Sequence, residues 1–490
     1  MKNSLGRDAL NLSCSKILTV TISLVTSMLL SRFLSLTEYG TYSQALMIAN
    51  LAVSVFALGM PESVNYFLAR MDNAPARRDY LSTYYTVISI SSLLMGVVLA
   101  AVSPAVAAYF KNPMIIGIVY FMAVYPWSAM LSNSLDNMLV VTHKTKILMV
   151  YRVAFSLSLL AVLVISNWFH LPFAWYMGLF TGVDVIFAVI AYLLPYRTVG
   201  SYRLHIERRL LGEILRFSVP MGLAGIISRI NIELDKLMIG SFFDTDKLAI
   251  YTNAAQEMPI TVISGVFTAV TMPPAVRLIA RKRNTDAVRL WGEGGLLCYV
   301  LFAFCAAALI VFAPEAMTLL YSDKYLPGVS VFRIYCFVLV LRSIYFGMAL
   351  SCAGKSKFIL ISSIASLGLN VILNFICYLL FGFIGPAIAT FVCIVITNIL
   401  QLAFSTHCVQ VSFRRIMPWK NLGAVTLVNL VMGASAFLVY WLCKIPAGMV
   451  LAVWIVIYIA VMFKFFKNHW KEMNRLGAEG AESEEALPDN

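Results

Sequence analysis

Leu215-Arg216-Phe217-Ser218-Val219-Pro220-Met221-Gly222-Leu223-Ala224-Gly225-Ile226-Ile227-Ser228-Arg229-Ile230-Asn231-Ile232-Glu233-Leu234-Asp235-Lys236-Leu237-Met238-Ile239-Gly240 is long enough to cross a bilayer as a helix. Yet four ionisable residues, Arg229, Glu233, Asp235 and Lys236, fall deep within it. With Arg229 set to zero on a helical wheel, Glu233 lies near about +40° and Lys236 near about −20°, on the side of Gly222, Gly225 and Gly240. Asp235 turns away from them, towards Ser228 and Asn231. Isoleucines, leucines and Met238 fill the remaining arc, so only about a third of this helix can face lipid tails. Each charge at that depth costs at least ~2.5–3.5 kcal/mol against lipid, which places these four against protein or water. Two readings stay open: a transport cavity, or a buried Arg229–Glu233 pair, four residues apart, that joins helices.

The remainder of the chain has the same character. Of 490 residues, 60% are hydrophobic and only 12% charged, a balance that a water-soluble domain does not have. The net charge of +13 comes from basic residues in short loops between apolar runs, and no basic soluble module exists to bind nucleic acid. Nine cysteines occur singly, without metal-site or redox spacing, and read as small buried hydrophobes. The five histidines are scattered, so neither a metal nor another cofactor is expected. The first apolar run is too long for a cleaved leader and is expected to remain as a span.

Hydropathy predicts an all-α polytopic membrane protein of about fourteen transmembrane helices. Continuous spans are expected at 40–68, 114–141, 248–275, 328–352, 357–381 and 384–407, among others. Counted from a cytoplasmic N-terminus, the even loops and both ends hold 28 of the 37 Lys and Arg, against five on the odd side (Arg32, Lys111, Lys247, Lys324, Lys444). That asymmetry puts both termini in the cytoplasm. The four other cations, Arg229, Lys236, Arg333 and Arg342, are intramembrane.

An internal repeat sets the expected domains. Leu30–Ala45 aligns with Ile239–Ala254 at an offset of 209, His143-Lys144 with Gly354-Lys355 at 211, and Met60-Pro61 with Met272-Pro273 at 212. Residues 1–200 and 201–410 are therefore expected to be two similarly oriented six-helix bundles. Two additional helices are expected over 411–470, and a disordered acidic tail over 471–490.

Polar residues at helical spacing mark candidate inner walls: Ser15, Thr19, Ser23, Ser27 and Ser31; Ser128, Ser132 and Asp136; Asn253, Glu257, Thr261 and Ser264; Ser362, Ser366, Asn370 and Asn374; Thr390, Thr397 and Gln401. Any single stripe is explained by interhelical hydrogen bonding, whereas so many together favour a hydrated cleft. Arg342 is the better cavity candidate in its span, since Arg333 falls near the outer end. No P-loop, no Gly-x-Ser-x-Gly and no loop of catalytic size is present, so the chain is not expected to be an enzyme.

Two stretches, Leu30-Ser31-Arg32-Phe33-Leu34-Ser35 followed by Glu38-Tyr39-Gly40-Thr41-Tyr42, and Leu58-Gly59-Met60-Pro61-Glu62-Ser63-Val64-Asn65-Tyr66-Phe67, resemble the opening of bacterial polysaccharide-synthesis (Wzx-type) flippases. Asp235-Lys236-Leu237-Met238-Ile239-Gly240 followed by Ile250-Tyr251 is similar to the same family. The family sits within the multidrug/oligosaccharidyl-lipid/polysaccharide flippase superfamily, which implies two six-helix bundles in a V. It also implies a cargo of undecaprenyl-pyrophosphate-linked sugars, turned outward across the bacterial inner membrane for O-antigen, capsule or exopolysaccharide synthesis. On that reading Arg229, Lys236 and Arg342, with Glu233, Glu257 and Asn253, would meet pyrophosphate and sugar. The lipid II branch implies a coupling-ion site for sodium, or a proton, at Asp235, Asn370, Asn374 and Thr390. Polymerase and chain-length regulator proteins are possible partners of such a flippase.

Two other classes compete. A multidrug extruder of the same fold should prefer acids to cations in its cavity, because its cargoes are mostly cationic. A membrane polymerase or ligase needs a long external loop, and the longest odd-side connections here are a few residues around 244–247 and 322–326.

Overall fold

The computed structural model describes residues 2–71, 73–198, 200–256 and 258–481, and every regular element among them is helical. The chain divides into two compact units between Thr252 and Asn253. The first unit holds α1 (Lys2–Phe33), α2 (Leu36–Ala57), α3 (Met60–Phe67), α4 (Ala74–Tyr109), α5 (Met114–Gly117), α6 (Val119–Val141), α7 (Thr145–Trp168), α8 (Phe173–Thr198) and α9 (Arg208–Phe242). Helix α10 (Thr245–Ala254) begins in the first unit and crosses the division by its last two residues. The second unit holds α11 (Thr261–Ala280), α12 (Asn284–Val311), α13 (Ala313–Leu320), α14 (Val329–Leu341), α15 (Met348–Cys352), α16 (Ser356–Phe381), α17 (Gly385–Val409), α18 (Phe413–Ile416), α19 (Trp419–Cys443) and α20 (Ala447–Ala481).

Among the described residues, eleven helical segments are long and apolar enough to cross a membrane, or twelve with α2 and α3 taken as one bent span. One of the eleven, Lys357–Val409, is 53 residues long and contains both α16 and α17. A straight helix of that length would reach about 80 Å, against a hydrocarbon core of about 30 Å. Large apolar side chains cover the outside of the long helices: Leu93 and Val97 on α4, Leu379 and Leu380 on α16, Leu430 and Val431 on α19, Val456 on α20. So much exposed aliphatic surface would aggregate in water and belongs against lipid. The protein is a multi-pass, all-helical membrane protein.

Each unit has its own interior. In the first, Tyr80, Tyr84, Tyr85, Met130, Leu135, Met138, Tyr151 and Phe187 are buried between α4, α6, α7 and α8. Their hydroxyls are bonded rather than stranded: Tyr84 to Ser134 at 2.6 Å, Tyr151 to Ser132 at 2.9 Å. In the second, Leu296, Val300, Trp454 and Tyr458 join α12 to α20, and Val425 and Ala436 bring in α19.

Four spans expected to be continuous are broken, the 114–141 run at Ile118 between α5 and α6 and three others more deeply. The 40–68 run bends by 45° at Leu58 and Gly59, both left-handed (φ 47° and 68°). A Cβ on Gly59 would stand 2.4 Å from the Ser218 carbonyl oxygen of α9, and one on Gly222 would stand 2.4 Å from the Leu58 carbonyl carbon. Two backbones therefore touch there, which only glycine permits. The 248–275 run is interrupted between Ala254 and Thr261, around Pro259, and the 328–352 run between Leu341 and Met348. The tail expected to be disordered from residue 471 is helical to Ala481. Its charges explain the order: Glu472 bonds Arg475 and Arg289, and Glu479 bonds Arg475 and Arg283. Residues 482–490 of that tail lie outside the described residues.

The repeat leaves a physical trace. Ser35 caps α2 through a box with Glu38, whose carboxylate accepts from the Ser35 amide at 2.8 Å. Two residues after the cap, the Thr37 hydroxyl donates to Asp246 Oδ1 at 2.7 Å, and these two residues are 209 positions apart, the offset of the repeat. Equivalent positions of the two motifs thus touch one another.

Candidate functional site

Helix α9 carries the densest charge within a spanning segment. Arg229 Nη2 lies 2.7 Å from Glu233 Oε1, and Lys236 Nζ lies 3.1 Å from Glu233 Oε2. The three-and-four spacing stacks the side chains on one face, and the carboxylate takes one cation on each oxygen. Glu233 is nearly closed off, its side chain 6% exposed, whereas Arg229 and Lys236 remain 31% and 25% exposed. The cluster is thus a buried anion under two accessible cations, with a net charge of +1. The Nε of Arg229 is buried without a hydrogen-bond partner.

Asp235 does point away from this face, as the wheel requires. Its Oδ2 accepts from the Tyr251 hydroxyl of α10 at 3.1 Å, and its Oδ1 from the Lys236 amide at 2.8 Å. Tyr251 escapes a reading of α9 alone, because α10 delivers it. Tyr125 of α6 is another such residue: it lies within electrostatic reach of Arg229, Glu233 and Asp184, and donates to Asn50 Oδ1 of α2 at 3.3 Å. Asp136 is answered by Arg152 of α7, whose Nε donates to it at 3.0 Å.

The other candidate residues fall in the second unit. Arg342, in the break after α14, borders a cavity of about 20 Å³ with Gln256, Thr261 and Tyr335, room for a single water. Gln256 Oε1 accepts from the Tyr321 hydroxyl at 3.1 Å, and Asn253 is fully buried. Asn374 donates to Asn370 Oδ1 at 2.7 Å, so those two amides meet on α16. Thr390 sits half-buried on the neighbouring α17. Ser362 accepts from Gln401 at 3.3 Å and Ser366 bonds Cys393 at 3.3 Å, so two polar stripes zip α16 to α17. Arg333, which donates to the Ile310 carbonyl at 3.3 Å, is exposed. Glu257 lies outside the described residues. Among the described residues no three His, Cys, Asp or Glu converge on a metal-sized point.

Residues 29–330 match the sequence profile of the family described as polysaccharide biosynthesis protein, well over half of the chain. The chain belongs to this family. A probable low-salt glycan biosynthesis flippase, Agl15 of Haloferax volcanii, is 23% identical over 207 residues, which span 42% of this chain and 43% of that protein. The chain also folds like a lipid II flippase, MurJ, solved in an inward closed conformation: TM-score 0.75, 14% identity, covering 94% of this chain and 99% of that one. A transporter from Pyrococcus furiosus of the multidrug/oligosaccharidyl-lipid/polysaccharide superfamily follows at TM-score 0.57, with 15% identity over 82% of this chain and 95% of that one. These similar proteins are flippases and transporters, not enzymes. The superfamily fold and the polysaccharide family expected from the opening motifs are thus both present.

Proposed function

We propose that the protein is a flippase that carries undecaprenyl-pyrophosphate-linked oligosaccharide units across the bacterial inner membrane for surface polysaccharide synthesis. The observation that carries this reading is the Arg229–Glu233–Lys236 cluster in a spanning helix of a polysaccharide-family chain. A pyrophosphate offers the bidentate oxygens that a guanidinium fork matches and a lysine neutralises. In the resting cluster Glu233 occupies the place such an anion would take, so cargo would exchange with an internal carboxylate rather than enter a bare positive site. That exchange avoids the penalty of two uncompensated cations at membrane depth. Arg342, Asn253 and Glu257 would meet further phosphate or sugar groups, with the prenyl chain left in lipid.

The reading includes fourteen spans in two six-helix repeats, 1–200 and 201–410, followed by two further helices, with both termini cytoplasmic. Counting α6, the bent pair, and α16 and α17 separately supplies that number. Sodium or a proton is proposed as the coupling ion at Asp235, with Asn370, Asn374 and Thr390 as further oxygen donors; an oxygen set of this kind suits sodium.

The test is flipping of labelled lipid-linked sugar by the purified chain in vesicles. Arg229→Ala with Lys236→Ala should abolish flipping while the protein still inserts and accumulates. Native flipping by that double variant would dismiss these residues as cargo ligands, and loss of the protein itself would assign the cluster to folding.

A further inference from the structure

The first unit has a second basic feature that the cargo reading does not use. A cavity of about 620 Å³ opens between the first turns of α4 and the loop 200–207, lined by Arg77, Arg78, Asp79, Ser82, Arg203 and His205. Its walls are held by groups other than the charged ones. The Arg203 amide donates to Ser82 Oγ at 3.0 Å, the Glu207 amide to Thr83 Oγ1 at 3.1 Å, and the Gly200 amide to the Pro195 carbonyl at 3.1 Å. Tyr202 anchors the loop from behind: its ring stacks on Tyr85 with centroids 4.5 Å apart, and its hydroxyl donates to the Tyr192 carbonyl at 2.8 Å. Burial and the neighbouring Tyr192 and Tyr196 keep that phenol well above its ordinary range, so it stays a neutral donor.

The loop is therefore fixed while its cations are not consumed. Arg77 spends only Nε, on the Met71 carbonyl at 2.7 Å. Among the described residues none of Arg77, Arg78 and Arg203 is in an ion pair, and Asp79 is the single acid of the lining. Three guanidinium groups around one pre-formed space repel one another, and the arrangement is stabilised by an anion with several oxygens. The volume lies within the range of small-ligand sites and far exceeds that needed for one chloride ion.

We propose that this cavity binds a phosphate-bearing group, either the headgroup of a phosphorylated lipid in the adjoining leaflet or a soluble phosphate. The binding chemistry is independent of the flippase reading; only the assignment of the leaflet as cytoplasmic rests on that reading, through the basic loops.

The full-length protein, purified in a neutral detergent, is titrated separately with inorganic pyrophosphate and with short-chain phosphatidylglycerol, with zwitterionic phosphatidylcholine, which has no net charge, as the control. Arg78→Gln with Arg203→Gln should weaken binding of the occupying source by about tenfold or more, and the matching Lys pair by less, since charge remains but the fork is lost. Both arginines are exposed, and Ser201→Asp, which places a carboxylate at the rim without removing a bond the structure shows, provides a second variant with the same expected loss. Loss confined to phosphatidylglycerol identifies a lipid headgroup, and loss confined to pyrophosphate identifies a soluble phosphate. If neither ligand binds the unaltered protein, or if the variants bind within about twofold of it, the site does not exist. Binding lost on Arg229→Ala but kept by these variants would equally overturn it, by placing the anion on α9.

Discussion

Glu233 is the residue whose replacement separates the roles of its neighbours. Glu233→Gln leaves Arg229 and Lys236 without their shared anion and raises the cluster from +1 to +2. Breaking buried pairs costs about 3–5 kcal/mol, and because both cations are partly exposed a loss nearer about 1–3 kcal/mol is expected, seen as a lower melting temperature. Affinity for a pyrophosphate-bearing lipid should rise, by about tenfold, and flipping should slow because release is impaired. Weaker binding by this variant would show that Glu233 positions the cations rather than competing with cargo. Asp235 behaves differently, being held by Tyr251 and by its own backbone. Asp235→Asn keeps an acceptor for Tyr251, so the fold should survive; the informative readout is the response to imposed sodium and pH gradients, which should disappear if Asp235 binds the coupling ion. At this scale the sequence was informative wherever the partners share one helix. Spacing by three and four put Arg229, Glu233 and Lys236 together, whereas Tyr251, Tyr125 and Arg152 arrive from other helices and carry no local signal.

Helices show a similar division. Their existence followed from apolar length, but their breaks did not, because hydropathy is continuous through Leu58-Gly59 and through the residues after Leu341. Only the packed state reveals why Gly59 must be glycine: α9 passes within backbone contact. Gly59→Ala meets both a left-handed φ and a carbonyl 2.4 Å away, so it should cost several kcal/mol and sharply reduce accumulation of folded protein. Gly225→Ala, on the same α9 with open space around it, should be neutral or slightly stabilising. Equal melting temperatures for the two variants would contradict the close approach. The end of α20 is helical for an electrostatic reason. An acidic composition signals disorder when its charges face water alone, but Glu472 and Glu479 face arginines brought by α12 and by α20 itself.

For the whole molecule, the decisive measurement is topology. Reporters fused after Arg78, Lys144, Arg203 and Arg283 should be cytoplasmic, and those after Lys111, Lys324 and Gly382 external. Opposite locations for Lys111 and Lys144 would establish α6 as a span, and an external Gly382 would divide 357–409 into two. An exported Arg203 fusion would overturn the six-helix first repeat. The division of the chain by packing falls at Thr252, because α9 packs on α2 and α3 of the first unit, whereas the proposed repeats would divide it near residue 200.

The hydrogen bond from Thr37 to Asp246 has a bearing on ancestry. If the repeats descend from one duplicated gene, this contact was once made between identical positions in two copies of a half-length protein, facing each other across a twofold axis. Identical residues there had to tolerate themselves, as two threonines can and two ionised aspartates cannot. On that descent, duplication would release the constraint and let one copy become a pure acceptor. Thr37→Asp alone should therefore be destabilising and Thr37→Asp with Asp246→Thr should restore the loss, a double-mutant exchange that reads, in a present-day chain, the symmetry of its parent.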